Sequence, residues 1–401
     1  MGKYAELVCV TGQNNNKYYK MQENDDGTFT ARWGRVGGNE SAKTFPMSEW
    51  DKRYNNKANK VRNGYKYTDV TALRADIKQK EFKDCTDSDI QFLLNTLERY
   101  SKNSIKENYT VSSENVTKAQ VDHAQNIINN ISEGIKKEID KDFVNENLEK
   151  LYITIPRKMK KVQDHLLQDG FKKKDLSKIL KEEQDLLDVM SQQVSMQATS
   201  ADDSEPATME DALGIKIEKI SKKEIEQIKE LMGSESDKFK RAFKVINKKT
   251  QEKYDKQRKE SVKHWEKLLW HGSRNENWLN IMQTGLVLRP SSAVITGKMF
   301  GYGIYYADKC RKSLGYTSLR GSYWASGNAN QGFMALFSVN TGKELRVQQH
   351  NSWMYDLNEE KLKAKGDYDS LFAKGGVDLR NNEYIVYNQN QCTIKYIVEI
   401  G

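Results

Sequence analysis

Apolar and polar positions change rhythm twice along the chain. Over Tyr4–Thr11, Tyr18–Glu23 and Thr28–Trp33, β-forming residues alternate loosely with polar ones, and Asn24-Asp25-Asp26-Gly27 separates the last two runs. Alternation broken by such a turn predicts a β-hairpin. Gly34, Gly37 and Gly38 then interrupt the pattern. The polar stretch after them carries Lys52, Arg53, Lys57, Lys60, Arg62 and Lys66 with few acids, and reads as a short helix packed on the sheet. From about residue 85 to 230 the period lengthens to that of a helix. Thr117-Lys118-Ala119-Gln120 has the form of a capping box, followed by Val121, Ala124, Ile128, Ile131 and Ile135 at helical spacing. Ile179, Leu180, Leu186, Leu187 and Met190 mark a second amphipathic helix, and the Ser-, Asp- and Thr-rich run Gln197–Ala207, with Pro206, reads as an exposed loop. From about residue 240 the pattern returns to short strands: Leu268–His271, Gly303–Ala307, Phe333–Val339, Glu383–Tyr387 and Thr393–Ile400. These strands do not alternate regularly with helices, so an antiparallel α+β domain is expected rather than a doubly wound parallel sheet.

At 401 residues the chain has room for two or three domains. No apolar run approaches the roughly 20 residues that cross a bilayer. The opening Met1-Gly2-Lys3-Tyr4 begins no signal segment, so an intracellular protein is expected. Cys9, Cys85, Cys310 and Cys392 stand singly, which excludes a zinc finger and a disulfide framework and gives no metal site. The formal charge of +9 permits a polyanionic partner without requiring one. Abundant Lys, Asn and Ile with only 4 Pro suggest an AT-rich genome. On that basis a bacterial cytoplasm or nucleoid is favoured, or a nucleus if the source is eukaryotic.

Three segments of the last region carry residues suited to chemistry. Singly, each reads blandly: His271 ends a strand, Gly301 and Gly303 precede a strand rather than the helix of a dinucleotide loop, and Glu383 opens an apolar strand. Together, Leu268-Leu269-Trp270-His271-Gly272-Ser273-Arg274, Met299–Asp308 and Asn382-Glu383-Tyr384-Ile385-Val386-Tyr387 resemble the catalytic domain of the poly(ADP-ribose) polymerases. That resemblance implies a His-Tyr-Glu triad on separate strands of a split antiparallel sheet, here His271, Tyr305 and Glu383. It also implies NAD+ as a consumed substrate, cleaved between nicotinamide and ribose.

A carboxylate fits this chemistry because the transition state resembles an oxocarbenium ion. By resemblance, Glu383 faces the nicotinamide-ribose 2′-hydroxyl and polarises the acceptor. His271 hydrogen-bonds the adenosine ribose, and Gly272 binds the carboxamide through its backbone, with Ser313 adding a hydroxyl. Tyr305 and Tyr316 stack on the nicotinamide. Ser273 belongs to the same NAD+-binding motif and Asn277 lies near the adenine. Ser313 and Tyr316 stand in Lys312-Ser313-Leu314-Gly315-Tyr316, similar to the family's Lys-Ser-x-x-Tyr segment. Met299 resembles an acceptor-site residue. Glu383 favours chain elongation, whereas Asn381, which stands where some polymerising members carry Tyr, leaves chain length and branching open.

The first region has its own signature. Arg32-Trp33-Gly34-Arg35-Val36-Gly37 resembles the WGR domain that accompanies DNA-dependent members. That implies stacking of Trp33 on a DNA end, Arg35 bridging to DNA or to a neighbouring domain, and phosphate contacts from Arg32 and Lys43. Leu151-Tyr152-Ile153-Thr154-Ile155-Pro156 and Leu186-Leu187-Asp188 resemble segments of the family's regulatory helical domain. The expected architecture is therefore α+β multidomain. A small β-rich WGR DNA-binding domain would span 1–80, an all-α regulatory, autoinhibitory bundle 85–215, and a split-sheet ADP-ribosyltransferase domain 216–401. The expected protein is a monomer off the membrane that responds to DNA strand breaks by building polymer on protein acceptors, itself included. Two alternatives stay open: a mono-ADP-ribosyltransferase of the same fold, and a DNA-end-binding scaffold with an inactive catalytic domain.

Overall fold

The computed structural model describes residues 2–59, 66–73, 82–135, 139–198, 207–261, 265–293 and 298–401. The chain divides into two compact units. One is built mainly of Met1–Gln79 and Lys102–Ala198, the other of Lys80–Ser101, Thr199–Ala293 and Gly297–Gly401. The β-rich segment and most of the helical segment thus share a unit.

The first unit opens with five strands: β1 (Tyr4–Thr11), β2 (Asn15–Glu23), β3 (Thr28–Arg35), β4 (Glu40–Pro46) and β5 (Thr68–Asp69). They form one antiparallel sheet in the order β4-β3-β2-β1-β5. The expected turn closes the β2–β3 hairpin, with Gly27 at a φ of +77° that favours glycine. Gly34 lies inside β3 rather than ending it. Strand β4 has no apolar rhythm because only Phe45 along it is buried. Helix α1 (Trp50–Ala58) covers one face of the sheet, its Trp50 ring 5.1 Å from Phe29. Its cations lie over aromatic faces: Arg53 is 3.2 Å from the Phe45 ring and Lys57 4.9 Å from that of Tyr19. Lys60 and Arg62 lie outside the described residues.

The helices that follow are α2 (Ser88–Asn108), which up to Ser101 belongs to the second unit, and, in the first, α3 (Lys118–Gly134), α4 (Lys141–Thr154) and α5 (Lys173–Ala198). The capping box forms as read: Gln120 N–H donates to Thr117 Oγ1 at 3.1 Å, and Thr117 N–H to Gln120 Oε1 at 3.0 Å. Gln197 and Ala198 end α5 instead of opening a loop, and residues 199–206 lie outside the described set. Strand β1 is buried on both faces. Ala5 and Leu7 belong to the core under α1, whereas Val8 and Val10 join the helical core with Ile128, Leu148, Leu151 and Leu180. This double burial explains why its alternation is only loose. Arg157 and Glu183 form a buried ion pair at 2.7 Å inside the helical core, each about 5% exposed, with the Tyr109 ring 5.0 Å from the guanidinium.

The second unit continues with α6 (Met209–Leu213), β6 (Lys216–Lys219), α7 (Lys222–Met232), β7 (Phe239–Ile246), α8 (Lys248–Glu260), β8 (Glu266–Gly272), α9 (Trp278–Thr284), β9 (Ile304–Tyr306) and α10 (Cys310–Leu314). It ends with β10 (Gly332–Asn340), β11 (Glu344–Val347), α11 (Glu359–Ala364), β12 (Ser370–Ala373), β13 (Glu383–Val386) and β14 (Cys392–Ile400). Two sheets result, ordered β6-β7-β14-β10-β8 and β11-β12-β13-β9. All pairs are antiparallel except β11–β12. Every residue of β10 is buried, which is why its apolar run reads so clearly. Helix α8 buries only Tyr254, so no apolar stripe announces it. Among the described residues the sheets meet at one backbone bridge: Trp270 N–H donates to the Ala307 carbonyl at 2.8 Å, and Ala307 N–H to that of Trp270 at 3.0 Å.

Glu183→Ala strands the Arg157 guanidinium in the helical core and is expected to cost about 3–5 kcal/mol. Glu182→Ala, whose side chain is 58% exposed, should cost at most about 1 kcal/mol. Urea unfolding monitored by circular dichroism measures both.

Candidate active site

The Trp270–Ala307 bridge sets the residues on either side of it against each other. His271 follows Trp270 on β8, and its Nδ1 lies 3.1 Å from the Tyr305 carbonyl oxygen on β9. A carbonyl only accepts, so Nδ1 carries the proton and Nε2 of the neutral ring is the acceptor. The half-buried imidazole packs edge-on to Tyr306 and Phe337 at 5.8 and 6.0 Å. This packing pushes its pKa down to about 4; nearby Lys298 acts in the same direction, and the Tyr305 carbonyl opposes them.

Tyr305 pairs with Ile385 across β9–β13. Directly opposed side chains share a sheet face, and so do residues two apart, so Glu383 projects from the same face as Tyr305. The Tyr305 hydroxyl is engaged both as donor and as acceptor. It donates to the Gly301 carbonyl at 3.0 Å and accepts from Phe300 N–H at 3.1 Å. Its ring, rather than its hydroxyl, is therefore what the site presents. Burial, with the Glu383 charge adding to it, raises the pKa of both Tyr305 and Tyr316, so both rings lie within the electrostatic reach of that carboxylate. Glu383 is 12% exposed and its Oε1 forms an ion pair with Nζ of Lys312 on α10. No hydrogen bond links the side chains of His271 and Glu383; the first meets the Tyr305 carbonyl and the second Lys312.

Gly272 ends β8 against α10: a Cβ built there would fall on the Ser313 carbonyl oxygen, so only glycine allows this approach. Ser313 is buried beside it. Asn277 Nδ2 donates to Ser273 Oγ at 3.0 Å, which ties the two together just past the strand. Tyr316 is 41% exposed. Met299 packs half-buried on the core formed by Phe300, Leu357 and Ile385. Two residues escaped the sequence reading. Lys312 was visible only as the residue before Ser313, and nothing local marks it as the partner of a carboxylate 71 positions away. Trp324 stacks on Tyr316 with ring centroids 6.1 Å apart.

In the first unit the four residues expected at DNA separate. Half-buried Trp33 packs 6.1 Å from the Tyr19 ring on the α1 side of the sheet. Lys43 opposes Ala31 and shares that side, its Nζ 5.4 Å from the Phe45 ring. Arg32 alternates to the opposite side, exposed and paired with Glu40 at 3.0 Å. Arg35 is consumed within the unit: it donates to the carbonyl and side-chain oxygens of Asn14 and to the Lys160 carbonyl, each at 2.9 Å. It thereby ties the sheet to the segment after α4.

A carboxylate 12% exposed and paired with Lys312, a histidine held by the carbonyl of the neighbouring strand and two tyrosine rings near that carboxylate fit an ADP-ribosyltransferase type of site. Residues 216–401 match the family model described as the poly(ADP-ribose) polymerase catalytic domain, and residues 2–71 match the WGR domain. A relative from Invertebrate iridescent virus 6, called a putative poly(ADP-ribose) polymerase-like protein 100L, is 35% identical over 179 residues, 44% of this chain and 91% of the relative. Human poly(ADP-ribose) polymerase 2 is 33% identical over 161 residues, 34% of this chain and 27% of the relative. The Arabidopsis thaliana protein of the same name is 34% identical over 157 residues, 33% of this chain and 23% of the relative. The chain belongs to the poly(ADP-ribose) polymerase family. It is an NAD+ ADP-ribosyltransferase that carries a WGR domain.

The depressed His271 pKa has a defined sign. Its contribution to stability is fully present above about pH 6.5 and is lost as pH falls through about 4. Unfolding measured from pH 7 to 4 should therefore fall off less steeply in His271→Gln than in the parent. The KM for NAD+ should stay flat from about pH 5.5 to 8, and an inflection near the ordinary histidine value of about 6.5 would exclude the neutral ring.

Proposed function

We propose that the chain builds poly(ADP-ribose) on protein acceptors, itself included, when its WGR domain engages a DNA strand break. The observation that carries the catalytic part is the Glu383–Lys312 pair, both side chains 15% exposed or less, on the sheet face it shares with Tyr305. NAD+ would lie with its nicotinamide against Tyr305 and Tyr316, its carboxamide at the Gly272 backbone and Ser313, and its adenosine side toward His271, Ser273 and Asn277. His271 Nε2 would accept from an adenosine-ribose hydroxyl. With Oε1 held by Lys312, Glu383 Oε2 would accept from the nicotinamide-ribose 2′-hydroxyl and stabilise the developing oxocarbenium charge. The bond from ribose C1 to the nicotinamide nitrogen breaks, and its electron pair leaves with neutral nicotinamide. An acceptor oxygen near Met299 bonds to C1 while Glu383 takes its proton.

The DNA part of the reading is supported by the WGR match, by Trp33 and Lys43 on one side of the sheet, and by the +9 charge. Regulation through the helices is supported by Ser101 on α2, whose Oγ donates at 3.0 Å to the Glu276 carbonyl, one residue before Asn277. A helix anchored there is placed to respond if NAD+ access is gated. Action inside the cell, near DNA, follows from the same reading. No described helix is long and apolar enough to cross a membrane. The named relatives come from a virus, an animal and a plant and do not support the bacterial source that composition suggested.

Labelled NAD+ incubated with the chain, with and without nicked or blunt duplex, tests this directly. Long polymer that appears only with DNA is the expected result. Single-unit product or no turnover would establish one of the alternatives. Glu383→Gln should abolish elongation while NAD+ still binds; persistent long polymer would remove Glu383 from its role. Trp33→Ala should weaken binding to blunt duplex about tenfold or more, in line with the loss of one base stack. Unchanged affinity would place the DNA contact elsewhere.

A further inference from the structure

Three exposed rings crowd the surface next to α10: Tyr316, Trp324 and Tyr323, at 41%, 65% and 79% exposure. Isolated exposed aromatics are ordinary, but a contiguous set beside the candidate site calls for a reason. The Trp324 indole lies 17° from parallel to the Tyr316 ring with centroids 6.1 Å apart, and Tyr323 meets Trp324 edge-on at 4.8 Å.

The loop that carries them is not a slack connection. Trp324 N–H and Ala325 N–H both donate to the Gly315 carbonyl, at 2.8 and 3.0 Å. Arg274, just past the His271-Gly272-Ser273 motif, donates to the Ala325 carbonyl at 3.1 Å. Ser322 Oγ donates to the Thr317 carbonyl and accepts from Gly327 N–H, both at 2.8 Å. Arg320 N–H closes the loop onto the Ala329 carbonyl at 2.7 Å. Ser326 holds a left-handed φ of 49°, a conformation such a closed loop imposes on a non-glycine residue. The indole also lies directly over Gly315, where a Cβ would come within 3.0 Å of its Cδ1. A closed loop thus delivers a tryptophan to Gly315, the residue before Tyr316, and leaves much of its surface in water.

We propose that Trp324 is a positioning residue for the nicotinamide half of NAD+: its indole fixes the plane of Tyr316, and the pair acts as one wall of the cleft. Unsupported, a tyrosine ring this exposed samples other rotamers, and each excursion removes a stacking partner from the substrate. Pinning it by an aromatic neighbour raises affinity by pre-organisation, without touching the bond that breaks. The inference rests on the reading of Tyr316 as a nicotinamide-facing ring.

The test is steady-state kinetics on the full chain, with nicotinamide as product inhibitor. Trp324→Ala should raise the KM for NAD+ and the Ki for nicotinamide together by about three- to tenfold, the range an aromatic pair contributes, with kcat within about twofold. Trp324→Phe should restore both constants, whereas Trp324→Leu, which keeps bulk but not a ring, should not. The double variant Tyr316→Ala/Trp324→Ala should be no worse than Tyr316→Ala alone. Unchanged KM and Ki in Trp324→Ala, or a loss confined to kcat, overturns the proposal. If Tyr316→Ala itself leaves both constants unchanged, the nicotinamide-facing reading of Tyr316 fails instead. If Tyr316→Ala raises them and Trp324→Ala does not, only the positioning role of Trp324 fails.

Discussion

The reciprocal backbone pair between Trp270 and Ala307 is the joint on which the catalytic half is built. It couples two sheets that otherwise run separately, one ending in β8 and the other in β9. Because strand side chains alternate, locking this one pair also settles what its neighbours face. His271 comes onto the Tyr305 carbonyl, Tyr305 onto the face of β13, and Glu383 onto that same face. The joint is itself anchored. Trp270 is 1% exposed, and its indole N–H donates to the Leu231 carbonyl at 3.2 Å. The groups of the candidate site come from strands on either side of this bridge.

At the candidate site the polar groups are committed before any substrate arrives. The Tyr305 hydroxyl is spent on the 300–301 loop, the histidine proton on a carbonyl, and one carboxylate oxygen on Lys312. Each commitment leaves a defined remainder: an aromatic face, an imidazole acceptor and a second carboxylate oxygen. Such pre-organisation is how a site stabilises developing charge without reorganising at the moment of reaction. Lys312, in the five-residue helix α10, ties the carboxylate to the element that also supplies Ser313.

The first unit follows a different logic. Strand β1 is the central element, with the core under α1 on one face and the helical core on the other. Arg35 and Asn14 add a polar seam, in which Asn14 Oδ1 also accepts from Val162 N–H at 3.1 Å. The β-rich domain therefore does not stand apart from the helices that follow it. The arginine of the Trp-Gly-Arg signature works in that seam, while Trp33 remains half-buried at the edge of the α1 core.

Much of this was legible beforehand wherever burial leaves a local rhythm. The β2–β3 hairpin, the Thr117 capping box and the apolar strands β10 and β14 could be read because each buries its own residues in a regular pattern. Strand β4 and helix α8 could not, since one is almost wholly exposed and the other buries a single tyrosine. The identities of His271, Tyr305 and Glu383 were visible in short motifs, and so was the family. Not visible were the pairing of Glu383 with a lysine 71 residues earlier, the engagement of the Tyr305 hydroxyl, and the stacking of Trp324 on Tyr316. Periodicity records which face of an element is buried, because that cost is paid residue by residue along the chain. Which distant element does the burying, and which of two lone pairs or two ring faces stays open, depends on strand register and on a single inter-sheet bridge, neither of which leaves a trace in neighbouring residues.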